Sequence, residues 1–240
     1  MEKEEWKKTL KKQCEELAIE LNEAKQEQFY NYMELLQKWN ENINLTAITE
    51  PEEVLQKHFV DSLTIMPYIK KNEKVIDVGT GAGFPGIPLK IAEEVVEVTL
   101  LDALNKRLNF LNEVIQVLEL SKIKTVHLRA EEAGKNKDLR EKFDVSVSRA
   151  VAPLSTLVEY LLPLVKVNGK CICMKGSNIE EEIVNSQKAI EILGGKIEKI
   201  EEFTLPNSEI KRNIIIIRKL KETPSKYPRK PGTPSKEPIQ

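Results

Sequence analysis

Apolar positions recur at helical spacing through the first third of the chain. Trp6, Leu10, Cys14, Leu17 and Leu21 make one stripe among lysines and glutamates, and Phe29, Tyr32, Met33, Leu36 and Trp39 make a second. Spacing of three and four residues puts one face of a helix into a core. A third helix is predicted from Pro51, because Thr49 and Glu52 stand at capping-box spacing and proline suits a first turn. Val54, Leu55, Phe59, Leu63 and Met66 would form its buried side. From Lys74 the period changes to short, β-branched apolar runs separated by helical stripes. KVIDV, VEVTLLD, KTVHL, FDVSVSRAVAP and GKCICMKG are five predicted strands alternating with helices, one of them over 154–164. Alternation of that kind implies a mostly parallel sheet with helices on both faces. Ser177 with Glu180, or Asn178 with Glu181, would cap a further helix that ends at Gly194–Gly195. KIEKIEEFTL and RNIIIIR follow with no helix between them, so they should form an antiparallel pair at one edge. The expected fold is α/β: a seven-stranded, mostly parallel, Rossmann-like sheet (71–220) behind an N-terminal helical extension (1–70).

Residues 221–240 break the pattern. From 222 onward they hold five of the chain's twelve prolines, and from Arg218 onward there are seven Lys/Arg against two acids. Prolines at that density build neither helix nor central strand. Two readings stand: a solvated, disordered tail, or a basic arm that lays Arg229, Lys230 and Lys236 on phosphates. In both, the tail is separable from the rest of the molecule.

Bulk composition removes several functional classes. With 40% apolar and 31% charged residues and a net charge of −1, the chain is ordinary globular protein, so any nucleic-acid surface must be local. Cys14, Cys171 and Cys173 fall in no zinc or redox spacing. Without a signal-like start or an apolar run of membrane length, a cytoplasmic location and no membrane partner are expected. His58 and Asp61 share a helix face, but no further metal ligands stand near them, so no metal is expected and a packing hydrogen bond is the preferred reading. The oligomeric state is left open, with a monomer plausible.

The chemistry-bearing stretch is KVIDVGTGAGFPGIPLK, residues 74–90. A strand ending in Asp77 runs into Gly79, Gly81, Gly83 and Gly86, then a helix. Glycine permits positive φ and close approach of backbone to a ligand, and such a turn presents free N–H groups at a strand's carboxyl end. The glycines also fit a dinucleotide fingerprint, which leaves a nicotinamide-dependent oxidoreductase as an alternative. The acid two residues before the first glycine, and Asp102 at the end of the next strand, instead resemble class I S-adenosylmethionine (SAM) methyltransferases.

Three further stretches, NLTAITEPEEVLQKHFVDSL (44–63), DVGTGAGFPGIPLKIA (77–92) and SRAVAP (148–153), narrow this, together with KYPRKPGTPSKEPI (226–239). They resemble the glucose-inhibited division protein B family, ribosomal RNA small-subunit methyltransferase G, across nearly the whole chain. The resemblance implies SAM as cofactor, and methylation of N7 of a guanine in the 530 loop of 16S rRNA, as naked RNA or within the small ribosomal subunit. It places Gly79, Gly81 and Gly83 under the methionine part of SAM, with Asp77 toward its ammonium or the loop amides. Asp102 would bind the ribose, Ala103 and Leu104 would border adenine, and Ala130 and Glu131 would meet its amino edge. Phe84 and Arg149 match cofactor-contacting positions, Arg149 on the rim where the methyl group is delivered and hence the catalytic candidate. The polar segment 40–46 is a plausible surface for substrate. A methyltransferase acting on protein or a small molecule, and a non-catalytic RNA-binding assembly factor, remain the alternatives.

Overall fold

The computed structural model describes residues 1–239. Its sheet has seven strands in the order β3-β2-β1-β4-β5-β7-β6. These are β1 (Lys74–Val78), β2 (Glu97–Asp102), β3 (Ile123–His127), β4 (Phe143–Arg149), β5 (Val165–Lys175), β6 (Gly195–Thr204) and β7 (Lys211–Lys219). β1 to β5 pair in parallel, whereas β7 lies antiparallel to both β5 and β6. The expected edge pair is therefore present, with β7 inserted between β5 and β6. The chain moves outward from β1 to β3 and returns to β4, so a crevice opens at the carboxyl ends of β1 and β4, where open α/β sheets bind ligands.

Side chains alternate along each strand, and the two faces bury two cores. On one face, Val75, Val145, Ile172 and Ile216 pack with α1 (Lys3–Glu16), α2 (Glu23–Asn40), α5 (Gly86–Ala92) and α6 (Asn105–Val117). On the other, Ile76, Cys171, Cys173 and Ile217 pack with α8 (Leu154–Leu161) and α9 (Glu180–Ile192). Cys171 and Cys173 are thus core residues, and burial pushes the Cys171 thiol up to about 11 and the Cys173 thiol higher still. Among the described residues no helix is long and apolar enough to cross a membrane, and no group of three or more His, Cys, Asp or Glu could hold a metal.

Several local expectations need correction. The third helical segment starts at Pro51 as expected, but its N-cap is Glu50 and no side chain caps it. It then runs from α3 (Pro51–Val54) through a π-helical turn at Leu55–Val60 into α4 (Asp61–Leu63). The α9 cap is likewise Ile179, with no side-chain cap from Ser177 or Asn178. Both helices are held by burial of their apolar sides, which outweighs a missing cap worth about 1 kcal/mol.

The last segment is neither a disordered tail nor a free arm. Thr223, Tyr227, Pro228, Pro234 and Ile239 are buried, and the short helix α10 (Thr233–Lys236) lies against α8. Arg140 ties the segment down by donating to the carbonyls of Tyr227 (2.8 Å) and Thr223 (2.6 Å). A proline-rich chain can dock in this way because it has few backbone N–H groups to satisfy.

Candidate active site

The glycine turn, the ends of β2 and β4, and the helix α7 (Ala130–Ala133) enclose one cavity of about 540 Å³, within the roughly 300–1,000 Å³ usual for small-molecule sites. Gly79, Gly81, Phe84, Asp102, Ala103, Leu104, Ala130, Glu131 and Arg149 all line it. Asp77 and Gly83 do not. Gly81 has φ +61°, and a Cβ there would find only the Gly79 carbonyl, at 4.0 Å, before open cavity. At Gly83 a Cβ would instead collide with side chains of Tyr32, Ile87 and Leu111, so this glycine packs α5 against α2 and α6. Asp77 is fully buried beneath the turn. Its Oδ2 accepts from the Thr80 hydroxyl (2.6 Å) and the Gly86 N–H (2.9 Å), so of its two possible roles it takes the loop amides. Burial pushes its carboxyl up to about 6, against the pull of those two donors.

Asp102 accepts from the Leu104 N–H on Oδ1 (2.9 Å), and from the Gly81 N–H (3.0 Å) and Arg107 (3.2 Å) on Oδ2. One lone pair of Oδ1 is left for a ligand hydroxyl. Beside it Arg107 lines the cavity, its Nε buried without a partner.

The opposite end is built on Arg149, at the end of β4. Its Nη1 donates to the Lys57 carbonyl (2.9 Å) and Asp61 Oδ2 (3.1 Å), and its Nη2 donates to His58 Nδ1 (3.0 Å). The guanidinium also lies 5.0 Å from the centre of the Phe84 ring, on which His58 stacks at 4.4 Å. Asp61 in turn accepts from Arg212 Nε (3.1 Å). An arginine can only donate, so His58 must be neutral with its proton on Nε2. Burial, reinforced by the Arg149 charge, holds the imidazole down to about 3, in agreement. His58 Nε2–H therefore donates to Thr46 Oγ1 (2.8 Å), which also accepts from the Ile48 N–H (3.0 Å). Both Thr46 lone pairs are used, and its own hydrogen faces no acceptor among the described residues.

His58 and Asp61 are thus more than a packing contact: they orient Arg149 across some ninety residues of sequence. Thr46, Arg107, Val151, Tyr160, Gly232 and Ser235 also line the cavity without having been singled out as ligands. Thr46 lies in the polar segment 40–46, and Val151, Gly232 and Ser235 fall in the family-like stretches 148–153 and 226–239 without a role attached; nothing marked Arg107 or Tyr160. Of the three basic residues proposed for RNA, Lys230 and Lys236 are exposed. Arg229 is not free for phosphate, because its guanidinium is held by the fully buried Glu159 at 2.7–3.1 Å.

A sheet of this order, with a glycine turn after β1 and a carboxylate ending β2, defines a class I SAM-dependent methyltransferase fold. Solved structures of that fold agree. A SAM-dependent methyltransferase from Aquifex aeolicus superposes with TM-score 0.52 at 17% identity, covering 70% of this chain and 93% of that one. TYW2 from M. jannaschii in complex with AdoMet gives 0.53 at 16%, covering 68% and 76%. The family model for rRNA small subunit methyltransferase G (GidB) matches residues 25–215, and the chain belongs to this family. Curated relatives of the same description include one from Acetivibrio thermocellus, 58% identical over 92% of this chain and 91% of its own. Another, from Alkaliphilus metalliredigens, is 53% identical over 98% and 100%.

SAM is the cofactor of the family, and the residues present fit it. Gly81 leaves room for a close backbone approach, Asp102 has a lone pair for a ribose hydroxyl, and Phe84 and Arg149 close the other end. Asp102→Ala should weaken SAM binding by roughly 1–3 kcal/mol through lost hydrogen bonds. Isothermal titration calorimetry checks this, and unchanged affinity would remove Asp102 from the site.

Proposed function

We propose that this protein methylates N7 of a guanine in the 530 loop of 16S rRNA, with Arg149 as the catalytic-site residue at the methyl-delivering end. One observation carries the reading: that end of the cavity has no group able to take a proton or attack a base. His58 has both ring nitrogens bonded, Arg149 is a cation, and no cysteine lines the cavity. Bound SAM supplies an electrophilic methyl group on its sulfonium. Guanine N7 presents an in-plane lone pair and carries no proton, so it needs neither base nor nucleophile, whereas cytosine C5 methylation needs a thiolate. Catalysis then consists of alignment in a water-poor cleft. Arg149 has its Nε and one Nη2 hydrogen left for a ligand, Phe84 and His58 form a flat stacked wall, and Thr46 holds a hydroxyl hydrogen suited to an acceptor such as guanine O6. The exposed Val151 and Leu104 on the rim offer apolar surface to an unstacked base.

Methyl transfer from labelled SAM should be compared on naked small-subunit rRNA and assembled particles. N7 methylation leaves a cationic purine, so reduction followed by aniline should cut the product at one guanine of the 530 loop, only where enzyme and SAM were both present. A ribose-methylated or amine-methylated nucleoside would overturn the N7 assignment and leave the fold and cofactor untouched.

A further inference from the structure

We propose that the C-terminal segment, residues 222–239, is a wall of the cofactor cavity whose docking sets affinity for the purine end of SAM. Gly232 and Ser235 line the same cavity as Asp102, Ala130 and Glu131. The Gly232 N–H donates to Glu131 Oε1 at 2.8 Å, and Glu131 is buried. Its Oε2 has no partner among the described residues and is not one of the buried, unpaired atoms, so it keeps contact with the cavity as an acceptor. Glu131 lies past β3, one strand further out than the ribose-side acid Asp102. The family resemblance puts the adenine amino edge there, and a carboxylate oxygen at that place accepts from an exocyclic amine and repels a carbonyl. The segment fixes the carboxylate by occupying its other oxygen.

The segment is held in place by the chemistry of a buried charge. Glu159 is fully buried in α8, and Arg229 is its ion-pair partner, with both oxygens engaged by Nε and one by Nη2; the Arg229 N–H also donates to Oε1. A buried carboxylate is tolerated only when paired, so release of the segment would strand it. Thr156 adds a hydrogen bond to the Pro234 carbonyl (3.1 Å). At Gly232 φ is +82°, which glycine adopts freely, and this bend brings the chain back over Glu131. Arg229 is accordingly a positioning residue: it acts on the cofactor through the backbone three residues on. Binding and docking are then linked reciprocally, each favouring the other.

The proposal rests on SAM occupying this cavity and is independent of which RNA atom is methylated, so its test uses no RNA in its binding arm. In the full chain, Arg229→Met should weaken SAM and S-adenosylhomocysteine binding about tenfold or more by calorimetry, and Arg229→Lys should recover part of the loss. With rRNA as substrate, KM for SAM should rise while kcat at saturating SAM and KM for RNA stay within about twofold. S-inosylhomocysteine, with a carbonyl in place of the amine, should bind the wild type far more weakly than S-adenosylhomocysteine, and Arg229→Met should narrow that gap. If the variant does not fold, hydrogen exchange on the wild type decides. Amides from Tyr227 to Lys236 should exchange more slowly when SAM is added. Unchanged exchange there, or wild-type SAM affinity in a folded Arg229→Met whose segment has become open to trypsin, would overturn the proposal. Failure of the N7 assay with SAM binding intact would leave it standing.

Discussion

Gly81→Val should abolish SAM binding and leave the protein folded. Two costs act at this position. Gly81 has φ +61°, and a β-branched residue in the left-handed region is strained by about 1–3 kcal/mol, which a domain with roughly 5–15 kcal/mol of stability survives. A Cβ there meets no protein side chain, since the nearest atom is the Gly79 carbonyl at 4.0 Å. Gly81 lines the cavity, so the added branch should compete with the cofactor rather than with the protein. Gly83→Ala is the contrasting case. Its Cβ would collide with Tyr32, Ile87 and Leu111 at 2.5–2.9 Å and would stand at φ +98°, so it should lower the melting temperature by several degrees and disturb SAM only through the damaged packing. Calorimetry for SAM together with thermal denaturation separates the two. Full SAM affinity in Gly81→Val would show that the cofactor does not approach the glycine turn at this position.

The same pair of glycines shows what sequence could and could not disclose. Strand–glycine–helix chemistry, the two strand-end acids and the alternating runs placed the sheet and the cavity, because these are local features whose spacing dictates geometry. Asp77 and Gly83 belong to the same motif as Gly81 but face away from the cavity, and only packing against Thr80, Tyr32 and Leu111 reveals that. The His58–Arg149–Asp61 cluster joins a helix turn to a strand end ninety residues away, and neither partner announces the other. The C-terminal segment was misleading for a different reason. Prolines and lysines at its density signal a solvated chain, and its anchor depends on Glu159. A lone acid inside the apolar stripe of 154–164 was the available hint that something cationic must come to meet it.

Arg149→Met should give the largest combined loss of stability and function. Methionine keeps part of the apolar stem but removes the donors to Lys57, Asp61 and His58. Breaking a buried charge pair typically costs about 3–5 kcal/mol, and because Asp61 keeps Arg212 at 3.1 Å the lower end is expected here. The change also has a signature that mere destabilisation lacks. In the wild type His58 is held near pH 3, first by burial and then by the Arg149 charge, against an ordinary value of about 6.5. A depressed folded-state value means the unfolded chain takes the proton first, so this histidine's contribution to stability is complete above about pH 6.5 and fades as the pH falls toward 3. Without the neighbouring cation the imidazole should titrate at higher pH and the window should narrow. Asp77 works in the opposite sense as the pH falls through about 6, so melting curves mix the two effects and the His58 ring resonances are the cleaner readout. A folded Arg149→Met whose His58 still titrates near 3 would mean that burial alone governs the ring. If that same variant kept full methyl transfer, the cluster would be a structural brace between the N-terminal helices and β4, with no part in presenting the methyl group.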